Sequence, residues 1–224
     1  MPLIVFDLDG TLIDSRRDLA ESVNEVLERS GGRPLPADEV MSMVGEGVRV
    51  LVERAIRRVD LDVPLDEALG RFRSVYARRL LDHTRPYDGI GAVVARAAAR
   101  ATLAVLTNKP REPTERLLAA FDLLRHFRRV VGGDSSLPRK PDPTALHQLI
   151  EQAGLTTDDT LFVGDSMIDV ETARRAGVAV CVALYGFGRL RGDLQLRGDE
   201  LRAGDVAGLG RVIDAWLDDI IGDG

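Results

Sequence analysis

Cysteine occurs once in this sequence, as Cys181, so an internal disulfide is impossible and a thiolate cage for a metal is excluded. It lies inside the apolar run VAVCVAL, which marks it as a buried small hydrophobe. Aromatic residues make up 4% of the 224 residues against 45% hydrophobic residues, so the core has to be packed from aliphatic side chains. Long apolar runs are missing: none approaches the roughly 20 residues of a membrane-crossing helix, and no membrane partner is expected. The first apolar run is already a strand, with no leader-like segment before it, which predicts a cytoplasmic location. Blocks of positive charge are missing as well. With a net charge of −6 and basic residues interleaved among acidic ones, no nucleic acid partner is expected. The three histidines, His83, His126 and His147, have no acidic or cysteine partner at ligand spacing, which argues against a histidine metal site. Lysine is nearly absent: of 30 basic residues, 28 are arginine and two are lysine, Lys109 and Lys140.

What is present is a set of short aliphatic runs that stop abruptly at polar residues. Leu3 to Phe6 is unbroken apolar sequence, as in a parallel strand covered on both faces, and it ends at Asp7. Asp7 and Asp9 are two apart, so in extended backbone both lean toward the same space, and Gly10 permits a sharp turn after them. Two carboxylates so close resist joint ionisation unless a cation neutralises them or one keeps its proton. Alone, the pair reads equally as a polar turn after a strand. Thr102 to Leu106 is a second such run, ending in Thr107, Asn108 and Lys109. Thr160 to Gly164 is a third, ending in Asp165, Ser166 and, at the mouth of a helix, Asp169. Open parallel sheets bind ligands outside the carboxyl ends of their strands, so the three polar clusters should converge on one crevice.

The ordered set DLDGT, Thr107-Asn108, Lys140-Pro141 and GDSMID resembles the haloacid dehalogenase superfamily, most closely its phosphoglycolate phosphatase-like phosphatases. The resemblance runs from Val5 to about Gly188. It implies an α/β fold, a Rossmann-like parallel sheet core with helices on both faces and an inserted all-helical cap. The expected boundaries are 1–14 and 84–224 for the catalytic core and 15–83 for the cap, where helical periodicity runs unbroken by any strand signal from about Ala37 to Leu81. The resemblance implies Asp7 as the nucleophile and Asp9 as the acid/base. It implies Mg²⁺ held by Asp7, the main-chain carbonyl of Asp9 and Asp165. Thr107 and the Asn108 N–H would grip the phosphate, and Lys140 would neutralise the nucleophile and the transferring group. Asp169 and Ser166 would support the metal site and Lys140. The placement of the only two lysines beside these strand ends fits this set, because a compact ammonium sits between carboxylates and a phosphate where a planar guanidinium would crowd them.

In the cap, Gly45, Glu46, Gly47 and Arg49 open a helix, and their N–H groups and the guanidinium suit an anionic leaving group. Glu46 repels a carboxylate and suits hydroxyls instead. The loop YGFG, Tyr185 to Gly188, resembles a family loop near the site, and Trp216 is expected on the packed face of a closing helix. The expected activity is Mg²⁺-dependent hydrolysis of a small phosphorylated metabolite, with phosphoglycolate the leading substrate. A sugar phosphomutase using the same aspartyl-phosphate, and a non-catalytic phosphometabolite-binding protein, remain as alternatives, although no motif is damaged. The sequence carries no mark of an oligomeric state.

Overall fold

A computed structural model describes residues 1–188 and 196–222. The chain begins with β1 (Leu3–Phe6) and β2 (Ile13–Asp14), followed by the helices α1 (Arg16–Arg29), α2 (Ala37–Met41), α3 (Val48–Arg58) and α4 (Leu65–Arg79). Then come β3 (Arg85–Pro86), α5 (Ile90–Ala98), β4 (Thr102–Leu106), α6 (Arg111–Ala120), β5 (Arg129–Val131) and α7 (Thr144–Ala153). The last elements are β6 (Thr160–Gly164), α8 (Met167–Ala176), β7 (Ala179–Ala183), β8 (Leu201–Ala203) and α9 (Val206–Gly222). Two compact units result, one formed by 1–13 with 86–224 and the other by 14–85. The short strands β2 and β3 pair where the chain passes from one unit to the other and back.

The first unit is built on a six-stranded sheet in the order β5-β4-β1-β6-β7-β8, with every pair parallel. The strands are aliphatic without alternation because both faces are covered. Leu3 and Val5 share a buried cluster with Phe162, Val182 and the helices α7 and α8, through Leu146, Leu149, Ile150 and Val170. Ile4 and Phe6 point the opposite way and are also fully buried; Phe6 meets Phe127 edge-on, and α5 packs beside β4 on α9. The expected α/β arrangement, a Rossmann-like parallel sheet with helices, is therefore observed. Strand β1 lies between β4 and β6, with Leu3 level with both Thr102 and Thr160. The chain lays down β4 and β5 on one side of β1 and β6, β7 and β8 on the other. That reversal is the topological switch point where sheets of this kind hold ligands. Trp216 is only half-buried, while Ile213 and Leu217 carry the packed stripe of α9.

The second unit consists of α1 to α4, with α1 against α2, α3 and α4. Its core is Leu19, Val23, Val26 and Leu27 of α1, Leu51, Val52, Ala55 and Ile56 of α3, and Leu69, Phe72, Val75 and Tyr76 of α4. Arg79 pairs with Glu21 and Glu25 across α1 and α4, but half-exposed ion pairs of this sort contribute ~1 kcal/mol or less each, so apolar burial dominates. The helical stretch expected from 37 to 81 is broken twice. Positive φ at Gly45 and Gly47 stops one helix before the next, and positive φ at Asp60 followed by Pro64 separates α3 from α4. One charge is fully buried here. Asp18 of α1 accepts hydrogen bonds from the N–H groups of His83 and Thr84 and from the Thr84 hydroxyl, at 2.7–3.0 Å.

Candidate active site

The site begins where β1 ends. Asp7 prolongs the strand by one residue, its N–H donating to the Val163 carbonyl at 2.8 Å, so its side chain emerges beside the end of β6. The chain then turns back at once, with the N–H of Leu12 on the Leu8 carbonyl at 2.9 Å. Gly10 makes the turn possible for two reasons. Its φ is +89°, and a Cβ there would lie 1.8 Å from an Asp165 carboxylate oxygen. Asp165, the residue after β6, is thereby packed against the first loop. It also accepts a hydrogen bond from the Gly188 N–H at 2.5 Å.

Asp169 sits in the first turn of α8 and is buried. Its Oδ2 accepts from the N–H of Ser166 at 3.0 Å and from the Ser166 hydroxyl at 2.6 Å, closing a capping box. Its Oδ1 accepts from Lys140 Nζ at 2.6 Å. The same ammonium lies 2.8 Å from Asp7 Oδ1, with only 3% of the lysine side chain exposed. Lys140 reaches this point from the segment after β5; Asn108 Nδ2 donates to its carbonyl at 3.0 Å, and its ammonium lies over the Phe162 ring.

At the end of β4, the Thr107 N–H donates to the Val131 carbonyl at 3.0 Å, and the Thr107 hydroxyl accepts from the Lys109 N–H at 3.3 Å. Lys109 then turns its Nζ onto Asp9, 3.0 Å from each carboxylate oxygen. Both side chains of this pair are largely buried, 4% and 14% exposed.

The electrostatics are unbalanced. Four carboxylates, Asp7, Asp9, Asp165 and Asp169, meet two ammonium groups, Lys109 and Lys140. Asp7, Asp165 and Asp169 each offer an oxygen within 4.8 Å of the others. Burial, opposed by Lys140 but reinforced by Asp169 and Asp9, raises the Asp7 carboxyl from 3.8 to about 6. Burial, with Asp169 and Asp7 adding repulsion, holds Asp165 well above the usual carboxylate range. Burial also works against the charge of Lys140, but Asp169 and Asp7 outweigh it and hold the lysine above its ordinary value. Among the described residues this cluster holds two more carboxylates than ammonium groups, and such an excess of oxygen donors is what a hard divalent cation neutralises. The donor set therefore fits a hard divalent cation and is wrong for a soft metal.

The profile of a family described as haloacid dehalogenase-like hydrolase matches residues 4–183. The chain belongs to that family. A phosphoglycolate phosphatase of Rhodospirillum rubrum is 40% identical over 194 residues, covering 83% of this chain and 80% of that one. One from Aquifex aeolicus is 33% identical, covering 87% and 90%. The crystal structure of a predicted phosphoglycolate phosphatase from Haemophilus somnus superposes with a TM-score of 0.88 at 31% identity, covering 95% of this chain and 97% of that one.

The structure brings Asp7, Asp9, Thr107, Asn108, Lys140, Asp165, Ser166 and Asp169 to the ends of the three neighbouring strands β4, β1 and β6 and the segments beside them. Gly45, Glu46, Gly47 and Arg49 belong to the helical unit. There Glu46 pairs with Arg54 at 2.6 Å and Arg49 with Asp66 at 2.7 Å. His147 Nε2 lies 3.2 Å from the Ala176 carbonyl, His126 is beside Arg125, and His83 Nε2 lies 4.0 Å from Glu21 within the helical unit. Three features exceed the sequence reading. The Asn108 side chain, besides its N–H, ties the Lys140 segment down. The YGFG loop touches Asp165 directly through Gly188, while its Tyr185 hydroxyl donates to the Thr11 carbonyl at 2.9 Å. Lys109 holds Asp9, a link that only its rarity in the sequence hinted at.

Proposed function

We propose that this protein is a Mg²⁺-dependent phosphatase that hydrolyses a small phosphorylated metabolite through an aspartyl-phosphate, with phosphoglycolate as the leading substrate. Its class is phosphoric monoester hydrolase. The observation that carries the reading is the cluster of buried carboxylates around Asp7, which among the described residues outnumber the ammonium groups beside them, at the switch point of the sheet. Asp7, the Asp9 carbonyl and Asp165 would hold the cation, which supplies positive charge that lets a carboxylate and a phosphate dianion approach. Asp169, with one oxygen on Ser166 and the other on Lys140, serves as the anchor that aims the lysine.

In the first half-reaction an Asp7 oxygen attacks phosphorus, the bond from phosphorus to the ester oxygen breaks, and Asp9 gives its proton to the departing alkoxide. In the second, Asp9 takes a proton from water as that water attacks phosphorus. The bond to Asp7 breaks, inorganic phosphate leaves, and Asp7 is regenerated. Thr107 and the Asn108 N–H would donate to the non-bridging oxygens as charge builds on them. Lys140 would offset the charge on Asp7 and on the transferring group.

The helical unit is proposed as a cap over residues 15–83 that limits water and contacts the leaving group through Gly45, Glu46, Gly47 and Arg49. Relatives bearing the name phosphoglycolate phosphatase support the substrate choice. No membrane partner is proposed, since no helix among the described residues is long and apolar enough to cross a membrane, and a cytoplasmic site of action is part of the reading. The test is release of inorganic phosphate from a panel of phosphomonoesters with Mg²⁺ and with chelator. Mg²⁺-dependent release, strongest from phosphoglycolate, is the expected result. Interconversion of a sugar phosphate without phosphate release would make the protein a mutase instead.

A further inference from the structure

The proposed chemistry gives Lys140 a task on the phosphoryl side of the breaking bond and gives Lys109 none beyond holding Asp9. We infer that Lys109 is a specificity-determining residue whose ammonium binds a carboxylate on the leaving group, so that 2-phospho carboxylic acids are selected over uncharged alkyl phosphates. The inference rests on the reading of Asp9 as the group that meets the leaving oxygen.

The geometry argues as follows. A working acid/base stands within ~3.2 Å of the atom it serves. Lys109 Nζ is 3.0 Å from both Asp9 oxygens, so whichever oxygen acts, the ammonium is no more than about 6 Å from the leaving oxygen. In a 2-phospho carboxylic acid the carboxylate is one carbon from that oxygen, within the same reach. An alkyl phosphate presents nothing negative there. The other lysine is committed elsewhere, to Asp7 and Asp169. The cap loop is a weak source of positive charge, because Arg49 is paired with Asp66 and its neighbour Glu46 is acidic.

The identity of the residue matters as much as its position. This chain places arginine at 28 of its 30 basic positions, yet lysine at 109. A guanidinium would lock both Asp9 oxygens in a planar fork, whereas an ammonium can re-aim its donors between Asp9 and an arriving carboxylate. Since Lys109 is 4% exposed, a substrate carboxylate that reaches it exchanges one desolvated charge-assisted contact for another and meets little competition from water.

Steady-state kinetics of the wild type and of Lys109→Met on phosphoglycolate and on ethyl phosphate, at saturating Mg²⁺, test this. The wild type should prefer phosphoglycolate. The variant should lose at least ten-fold more kcat/KM on phosphoglycolate than on ethyl phosphate, with the extra loss in KM. A parallel fall on both substrates would overturn the inference and leave Lys109 as a partner of Asp9 alone. Should the variant turn over neither ester, calorimetry decides: in the Asp7→Asn background, phosphoglycolate should bind more tightly than ethyl phosphate, and adding Lys109→Met should remove that difference. Persistence of the difference overturns the inference. Should Lys109→Met not fold, Lys109→Arg takes its place, and it should shift KM for phosphoglycolate more than for ethyl phosphate; equal shifts count against the inference. A wild type indifferent to the carboxylate also refutes it, while phosphate release from other esters would leave the phosphatase reading intact. Absence of release from every ester sinks that reading instead.

Discussion

At the scale of single residues, the two lysines carry more information than the other 28 basic positions together. Both are buried, and each contacts an aspartate of the DLDGT segment. Lys140 sits 2.8 Å from Asp7 and 2.6 Å from Asp169 with 3% of its side chain exposed, a geometry that suits a compact ammonium better than a wider, planar guanidinium. Lys140→Arg should therefore reduce phosphate release at least about 100-fold while circular dichroism shows a folded protein; near-normal turnover would contradict the role assigned to it. Asp9→Asn removes the group proposed to exchange protons with the leaving oxygen and with water. Its kcat should fall by about 10² to 10⁴, measured as phosphate release, and a wild-type rate would force another residue into that task. Cys181 has no such role: burial pushes its thiol up to about 12, so it stays a neutral hydrophobe, as its apolar setting in the sequence suggested. The carboxylates were legible because each follows an aliphatic run. The Asn108 side chain was not, since its contact joins a segment 32 residues away, and the YGFG loop was marked by its resemblance but not by its contact with Asp165, 23 residues from Gly188.

At the scale of elements, the strands of the core announced themselves by composition, and their ends located the chemistry. The helical unit was legible in its amphipathic stripes and in the break that Gly45 and Gly47 mark, but not in the second break, because Asp60 at positive φ has no sequence signature of the kind that glycine gives. Asp18 is the residue that reading by stripe misses: an acid on the packed face of α1, which the far end of the unit satisfies through His83 and Thr84. Removing a carboxylate that accepts these hydrogen bonds leaves buried donors unmet at ~1–3 kcal/mol each. Asp18→Ala should thus destabilise the protein by about 3 kcal/mol or more, read as a lowered denaturation midpoint in urea. Asp18→Asn, which keeps one acceptor oxygen, should recover part of the loss. Equal stability of wild type and Asp18→Ala would show that α1 and the His83–Thr84 segment are held by apolar packing alone.

For the whole molecule, the buried charge imbalance couples stability to pH and to metal. Asp7, raised from 3.8 to about 6, binds its proton more tightly folded than unfolded, and Asp165 is raised in the same sense. Such groups favour the folded state fully below about pH 4, and that contribution drains away as pH climbs through about 6. Without metal, the protein should therefore lose stability between pH 4 and the neutral range on account of these two carboxyls. In the proposed site Mg²⁺ would bind their ionised forms, so its effect on the melting temperature should be small at pH 5. It should reach roughly 5 °C or more at pH 7.5 in hundred-fold excess over Kd. Differential scanning fluorimetry with and without Mg²⁺ at both pH values checks this, and an equal shift at both would contradict the charge accounting.

The proposed hydrolysis requires that Asp7 attack phosphorus once a cation offsets the carboxylates around it. Acid quenching of the enzyme during turnover of phosphoglycolate with Mg²⁺, followed by peptide mass spectrometry, observes that step directly. The account predicts phosphate on the peptide carrying Asp7, present with Mg²⁺ and absent with chelator. Steady hydrolysis with no phosphorylated Asp7, or with the phosphate found on another residue, would contradict it.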